Sequence, residues 1–398
     1  MVFQLLFLVI AIALSLPCAV LLIECLGALL SRRPTPSVRV NPEFAVTVLM
    51  PAHNESAVIA STLATLTPQL MPQDRLIVVA DNCTDNTAQI ARQAGATVLE
   101  RADQIKRGKG YALDCGLRFM AASPPSAVVM VDADCQFKQG SVRDLAKAAI
   151  AQQRPVQGVY LIDKPVSPSL KEAVSAFAFK VKNLVRPLGL KQLHMPCLLT
   201  GTGMAFPWSV ITSIDLASGS IVEDMKLGFD LAIAGTPPAL CPHVTVVGPL
   251  PPNDAAAQIQ RTRWEHGHLQ LITRYCPQLF SQALQQGRLD LLAIALDLLI
   301  PPLSLLVVLW ASISLVLTLV SGFSGFWLPA WICYGEGIAL MVAIGSAWAR
   351  FAQSDLAFKT LLSAPLYILW KVPVYLKFIR EPQVEWVRTH RETRSDKV

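Results

Sequence analysis

Two aspartates set one residue apart, Asp132 and Asp134, close the run VVMVDADC. Alternate residues of a strand project to the same side, so an Asp-x-Asp at a strand's end aims both carboxylates at one point. Such hard oxygen ligands suit Mg2+ or Mn2+, whose remaining positions go to water and phosphate oxygens. A metal there would stabilise the charge that develops as a diphosphate departs. A second acidic pair, Glu223-Asp224 in IVEDMKLG, offers a general base for an attacking hydroxyl, with Asp224 the candidate and Glu223 its neighbour. On local sequence alone, an ordinary helix N-terminus explains that pair at least as well, because the helix dipole favours acids there. The segment QRTRW adds Gln260, Arg263 and Trp264. Arg263 suits a diphosphate through charge-assisted hydrogen bonds. Trp264 offers a plane for a sugar ring or for an acceptor entrance. Arginine and tryptophan also suit a helix lying at lipid-headgroup depth. Asp81 ends the run RLIVVAD and adds a further carboxylate.

These residues need a scaffold that gathers strand ends. AVTVLMPAHNE reads as a buried strand running into a loop, RLIVVADNC as a second strand and AVVMVDADC as a third. Each apolar run is continuous rather than alternating, as expected for parallel strands covered on both faces. Asn86–Ala94 and Gly110–Met120 suit the crossover helices. Ligands of such α/β sheets bind at the carboxyl ends of strands, where Asp81, Asp132 and Asp134 stand. Residues 169–195 read as helical, GTGMAFPW as a glycine-bearing turn into a strand, and Ile221–Ala234 as a helix starting beside Glu223-Asp224. Residues 256–287 read as one or two amphipathic helices.

Apolar stretches flank this pattern, and 53% of the 398 residues are hydrophobic. Leu5–Leu30 and Leu291–Val320 each exceed the roughly 20 residues needed to cross a bilayer. The first lacks a basic start and a small-residue cleavage site, so it reads as a retained anchor rather than a signal peptide. Arg32-Arg33 follow it directly, which puts its C-terminal end in the cytoplasm by the positive-inside rule. Pro301-Pro302 should kink or break the second stretch. Residues 328–349 span again, and 357–378, with Lys359, Lys371, Pro373 and Lys377, read as interfacial or re-entrant. The expected division is 1–30 membrane helix, 31–43 linker, 44–255 catalytic domain, 256–288 amphipathic helices, 289–378 membrane and interfacial helices and 379–398 basic tail. The nine cysteines show no CxxC and no zinc spacing, which fits a reduced compartment and packing roles. The net charge of +6 lies largely near the chain ends and suits anionic lipid. No nucleic-acid motif is present.

In this order, Asp81, Asp132-x-Asp134, Glu223-Asp224 and Gln260-x-x-Arg263-Trp264 resemble the membrane-bound family-2 glycosyltransferases with a GT-A catalytic domain. These include the cellulose, chitin and hyaluronan synthases and the ceramide glucosyltransferases. The resemblance covers residues 45–275. It implies a Rossmann-like nucleotide-sugar-binding domain on the cytosolic side, between N- and C-terminal transmembrane helices, in a bacterial inner membrane. It implies that Pro51, His53 and Glu55 of PAHNE line the nucleotide pocket, that Asp81 contacts the base, and that Lys109 lies near the nucleotide. Asp132 and Asp134 would hold Mg2+ or Mn2+ and the diphosphate. Gly201-Thr202-Gly203 would floor the acceptor pocket, Asp224 would be the general base, and Gln260, Arg263 and Trp264 would close the site. The transfer would be inverting, without a covalent intermediate. The sequence departs from the pattern after Asp81, where Asn82-Cys83-Thr84 replaces a second acid and a Gly-Ser turn; Asp85 is placed to share the role.

The expected activity is transfer from a UDP-sugar to a membrane-associated lipid or glycan, in exopolysaccharide or glycolipid assembly. A processive synthase that secretes its polymer is the alternative, and the small membrane part favours single transfer. A transporter would leave the ordered acids unexplained, and an inactive scaffold would not need every carboxylate. Glu24, Asp297 and Glu336 fall in apolar stretches, where ionisable groups are costly and often functional. Glu24 and Asp297 are expected to reach the interface, and Glu336 to sit deeper. His194, His243, His266 and His268 make no recognisable zinc site.

Overall fold

The computed structural model describes residues 2–31, 43–163, 168–217, 222–250, 254–365, 371, 373–375, 377 and 378. Nearly all of the expected linker, including Arg32-Arg33, and the basic tail lie outside the described residues. So do several positions of the expected interfacial segment 357–378, of which one short helix is described.

The elements run α1 (Val2–Leu29), β1 (Val46–Ala52), α2 (Ile59–Leu66), β2 (Arg75–Asp81), α3 (Thr87–Gln93), β3 (Thr97–Arg101), α4 (Lys109–Met120), β4 (Ala127–Met130), β5 (Gln136–Gln139), α5 (Val142–Gln152) and β6 (Val156–Asp163). They continue with α6 (Leu170–Lys180), a π turn (Val181–Val185), α7 (Arg186–Gln192), β7 (Met204–Pro207), α8 (Trp208–Ile211), α9 (Glu223–Ile233), β8 (Ala239–Pro249), α10 (Asp254–Gln286), α11 (Leu289–Leu299), α12 (Leu303–Ser324), α13 (Leu328–Phe351) and α14 (Phe358–Leu362). They fall into two compact units. One gathers Met1–Arg32, Lys164–Met195 and His268–Pro382; the other is built from Arg33–Asp163 and Pro196–Gly267.

The second unit holds a mixed sheet in the order β3-β2-β1-β4-β7-β6-β8-β5. The strands β3, β2, β1 and β4 are parallel, as their continuous apolar runs imply. Beyond β4 the sheet is mixed: β7 runs antiparallel to both β4 and β6, β6 and β8 are parallel, and β5 runs antiparallel to β8. Period-two alternation splits each strand between two cores. Val46, Val48 and Met50 pack with Leu63, Leu66 and Leu145, whereas Leu49 faces Leu113, Leu117 and Phe206. Full burial of a side chain such as Leu49 contributes about 1.5–3 kcal/mol. Gly116 admits this packing, because a Cβ there would stand 2.3 Å from Leu49 Cδ1. Pro51 is tolerated in a central strand because β4 pairs with β1 only as far as Leu49, so no ladder donor is missing there. The third apolar run ends earlier than its sequence implies. The strand stops at Met130, and Asp132 to Asp134 lie in the turn beyond it.

Among its described residues, the other unit contains three helices long and apolar enough to cross a membrane: Phe3–Leu29, Leu303–Ser324 and Leu328–Phe351. The 22 residues of Leu303–Ser324 span about 33 Å at 1.5 Å per residue, enough for a hydrocarbon core. The break expected at Pro301-Pro302 is present, and it shortens the expected span Leu291–Val320 to Leu303–Ser324. Pro301-Pro302 divide it into α11 and α12, since a proline supplies no N–H to continue a helix and biases its predecessor toward extended backbone. Glu24 and Asp297 find their partner inside the protein. They are 1% and 4% exposed, and both pair with Arg186: Nε lies 3.0 Å from Glu24 Oε2, and Nη2 bonds both Asp297 Oδ1 and Asp297 O. A guanidinium suits this role because its fork of donors serves several oxygens at once. Gly189 allows the approach, for a Cβ there would meet Glu24 O at 1.9 Å. Glu336 is buried and accepts from Ser15 Oγ at 2.6 Å. His268 Nε2 donates to Leu298 O at 3.0 Å, at the carbonyl end of α11.

Candidate active site

The carboxyl ends of β1, β2 and β4, with the loop before β7 and the start of α9, carry the polar groups of the sheet unit. Asp132 leaves β4 with its backbone N–H donating to Thr202 Oγ1 at 3.1 Å. Its Oδ1 lies 2.5 Å from Lys109 Nζ, at the first turn of α4. Lys109 also donates to Gly201 O at 2.7 Å. Gly201 has φ +91° and Gly203 φ +62°, conformations that favour glycine. A Cβ on Gly201 would lie 3.1 Å from Asp224 Oδ2 and 3.5 Å from Lys109 Nζ. The 201–203 loop therefore packs against the lysine and the candidate base together.

Glu223 and Asp224 open α9, as the local sequence implies for an acidic helix start. Burial pushes the Glu223 carboxyl up to about 7; Asp224 and Asp132 act in the same direction, and Lys109 opposes them. For Lys109, burial works to lower the pKa, but the surrounding Asp132, Glu223 and Asp224 prevail and raise it above the usual range, so the ammonium is held charged. A narrow cleft is lined by Lys109, Glu223, Asp224, Asp215, Leu216 and Lys226 among others.

Asp132, Asp134 and Cys135 offer ligand atoms within 4.8 Å of one another. Burial, with the charges of Asp134 and Asp132, pushes the Cys135 thiol well above its ordinary value. It is a thiol at neutral pH, and it donates to Asp134 Oδ1 at 3.4 Å. The available donors at this point are thus two hard carboxylates supported by a thiol. The two hard carboxylates fit Mg2+ or Mn2+.

A second set of contacts surrounds Asp81. The residue is 6% exposed, and its Oδ1 accepts from Arg101 Nη1 at 2.6 Å and Asn82 Nδ2 at 2.9 Å. His53 Nδ1 lies 2.6 Å from Asp81 O, which makes it the protonated ring nitrogen. Glu55 N donates to Thr87 Oγ1 at 2.8 Å. Asp85 does not stand in for a second acid beside Asp81. Its carboxylate accepts from Ser56 N, Thr87 N and Thr87 Oγ1, and although burial works the other way, these bonds hold it at about 2.

Gln260, Arg263 and Trp264 all lie on α10. With Gly267 they occupy positions i, i+3, i+4 and i+7, which share one helix face. Gly267 packs against Val222, the residue before Glu223: a Cβ there would be 2.7 Å from Val222 Cγ1. The structure thus brings Lys109, Asp132, Gly201, Thr202, Glu223 and Asp224 into one constellation. It places Pro51, His53, Glu55 and Asp81 together at the adjoining strand ends, and Gln260, Arg263 and Trp264 on the α10 face that carries Gly267.

Sequence reasoning missed Arg101, Gln157 and Gly267. Arg101 is the register partner of Asp81 across β2 and β3, which no local pattern announces. Gln157 is one polar residue in the run PVQGVYLI, and a lone glutamine in a strand carries no motif. Gly267 follows QRTRW in a polar helical stretch, where a glycine signals nothing by itself.

Residues 42–267 match the family model described as Glycosyltransferase like family 2. The chain is 24% identical over 246 residues to the probable glycosyltransferase YdaM of Bacillus subtilis (strain 168), covering 59% of this chain and 58% of that one. It is 33% identical over 117 residues to a 4,4'-diaponeurosporenoate glycosyltransferase of Staphylococcus aureus (strain USA300), covering 29% of each. The chain thus aligns with less than two thirds of the length of either relative. Among solved structures, it shares its fold with the mannosyltransferase PcManGT from Pyrobaculum calidifontis, in complex with GDP-Man and Mn2+. The TM-score is 0.52 at 20% identity, covering 92% of this chain and 99% of that chain.

Proposed function

Because the chain belongs to the family-2 glycosyltransferases, we propose that it transfers a sugar from a nucleotide-sugar, a UDP-sugar, to a membrane-associated lipid or glycan acceptor with inversion. The observation that carries this reading is the meeting of Asp132, Lys109 and Asp224 around Gly201. A leaving diphosphate needs positive charge and metal-binding carboxylates on one side, and a base for the acceptor on the other.

In this reading Asp132 and Asp134 hold Mg2+ or Mn2+, which supplies charge stabilisation to the diphosphate when bound. Pro51, His53, Glu55 and Asp81 form the nucleotide end of the donor site. Lys109, Gln260 and Arg263 serve its phosphates, Lys109 as a fixed ammonium. Gly201, Thr202, Gly203, Glu223 and Trp264 form the acceptor side. Asp224 takes the proton from the acceptor hydroxyl as it attacks the anomeric carbon. Glu223, its carboxyl pushed up to about 7, exchanges between the neutral acid and the carboxylate near neutral pH and supplies a hydrogen-bond donor or acceptor to the incoming hydroxyl.

The setting is a bacterial cytoplasmic membrane, with the sheet unit in the cytosol and the products in glycolipid or exopolysaccharide assembly. Three helices long enough to cross a membrane among the described residues favour single transfer over extrusion of a polymer, which needs more helices to build a channel. The test uses the full chain in detergent with UDP-sugars and GDP-mannose, Mn2+ or a chelator, and a lipid extract. Expected are metal-dependent release of the nucleoside diphosphate and a lipid carrying a single added sugar. Absence of release above an Asp134→Asn control from every donor would overturn the enzyme reading, and a growing polymer would favour the synthase.

A further inference from the structure

We propose that Gln157, on β6, is a positioning residue for the metal carboxylates and the base of this site, an inference that rests on the transferase reading above. Gln157 is 3% exposed. Its side-chain amide is engaged at both ends: Oε1 accepts from Thr200 N at 2.8 Å, while Nε2 donates to Gly158 O at 2.7 Å and Thr202 O at 2.9 Å. A reversed amide would set its NH2 against the Thr200 N–H and its oxygen against two carbonyls, so these partners select one orientation.

The placement has a structural cause. The ladder between β6 and β7 pairs Val156 with Ala205 and Gln157 with Met204, and Gly158 N still reaches Gly203 O at 2.8 Å. Beyond that point the positive φ angles of Gly203 and Gly201 take the chain out of strand geometry, and the ladder cannot continue. Gln157 supplies a side-chain amide in place of the missing peptide groups. The loop it holds then makes the contacts that define the site. Thr202 Oγ1 accepts from Asp132 N, Gly201 O accepts from Lys109 Nζ, and Gly201 Cα lies against Asp224. One buried amide thereby sets the positions of Asp132, Lys109 and Asp224 relative to one another. The role requires an acceptor and two donors on one planar group. Glutamate lacks the donors, methionine lacks both, and asparagine is one methylene short.

The test compares the full-length chain in detergent with Gln157→Met and Gln157→Glu. The readouts are Mn2+-dependent UDP binding by calorimetry, the Mn2+ midpoint for activity, kcat and donor KM, all per folded molecule, with thermal melts alongside. A misplaced loop should weaken Mn2+-dependent UDP binding about tenfold, raise the Mn2+ midpoint and lower kcat on the order of 10–100-fold, since displacements near 1 Å cost up to about 10²-fold. A merely structural glutamine would lower the melting temperature and leave UDP affinity, Mn2+ midpoint and kcat per folded molecule within twofold of wild type; that result overturns the proposal. Should the Gln157 variants fail to fold, Thr202→Val and Thr202→Ser test the same connection one bond further on. Valine should reproduce the tenfold loss and serine should restore it, and a valine variant equal to wild type would equally sink the idea. A wild-type chain that binds no UDP with Mn2+ and releases no nucleoside diphosphate overturns the transferase reading, and this inference with it. Unaltered variants of a binding-competent wild type overturn this inference alone.

Discussion

Lys109 Nζ stands 2.5 Å from Asp132 Oδ1 and donates to Gly201 O, joining the first turn of α4, the end of β4 and the loop before β7. Three acids, Asp132, Glu223 and Asp224, keep that ammonium charged against the pull of burial. A lysine held in this way provides fixed positive charge where a diphosphate is proposed to lie, with no reorganisation needed at the moment of transfer.

Asp134→Asn should abolish Mn2+-dependent nucleotide binding and turnover, because the amide retains the shape but loses the negative charge. Calorimetry with UDP and Mn2+ checks this. Retained affinity at ordinary Mn2+ concentrations would remove Asp134 from the metal site.

Asp224→Asn should behave differently. A positioned base contributes on the order of 10²–10⁴ in rate, so transfer should fall by that range while donor affinity stays within a few-fold. Parallel measurement of donor binding and single-turnover transfer separates the two. Loss of donor binding with transfer intact at saturation would make Asp224 a donor ligand or helix cap, and Glu223 would become the next candidate for the base.

Gly201→Ala adds a Cβ 3.1 Å from Asp224 Oδ2 at a residue with φ +91°. The backbone strain should cost about 1–3 kcal/mol. The added methyl should also push the loop away from Lys109 and Asp224, lowering transfer more than tenfold. Thermal melts and kcat measured together check both parts; a fully active alanine variant would show that the loop's fit to Asp224 is not needed.

Glu223 predicts a pH effect with a definite sign. Its carboxyl moves from 4.5 in the ordinary state to about 7 in the folded chain. The folded form holds the proton more tightly, so its stabilising contribution is complete below about 4.5 and is lost as pH rises through about 7. The melting temperature of wild type relative to Glu223→Gln should therefore decline across that window and level off above it. A difference that does not change with pH would contradict the shift.

Arg186→Met strands two buried carboxylates, Glu24 and Asp297. Removal of one member of a buried ionic group costs about 3–5 kcal/mol, so unfolding in detergent should occur at markedly lower denaturant. Combining it with Glu24→Gln and Asp297→Asn should recover much of the loss, because no uncompensated charge then remains buried. Failure of the triple variant to exceed Arg186→Met in stability would mean that packing, not charge, dominates there.

What the sequence determined by itself were the features carried by short stretches of chain. Continuous apolar runs marked β1, β2 and β4 and the Phe3–Leu29 and Leu328–Phe351 helices, because burial on both faces, or in lipid, leaves no polar position to alternate. The acidic start of α9 was legible because it depends on neighbours within a few residues. So was the presence of two carboxylates after an apolar run, but the turn that holds Asp132 and Asp134 beyond the end of β4 was not. Tertiary structure decided what depends on distant partners. Lys109 and Gly201 are 92 residues apart, and Asp132 and Thr202 are 70 apart, so nothing local shows that they touch. Arg101 meets Asp81 only through the β2–β3 register, and Gln157 acquires its role only where glycines end the β6–β7 ladder. Arg186 becomes the counter-charge of Glu24 and Asp297 only when α1, α7 and α11 pack together. Strand and helix formation follow from the side-chain pattern along the chain, but pairing across it is settled by register and close packing, which a single sequence does not display.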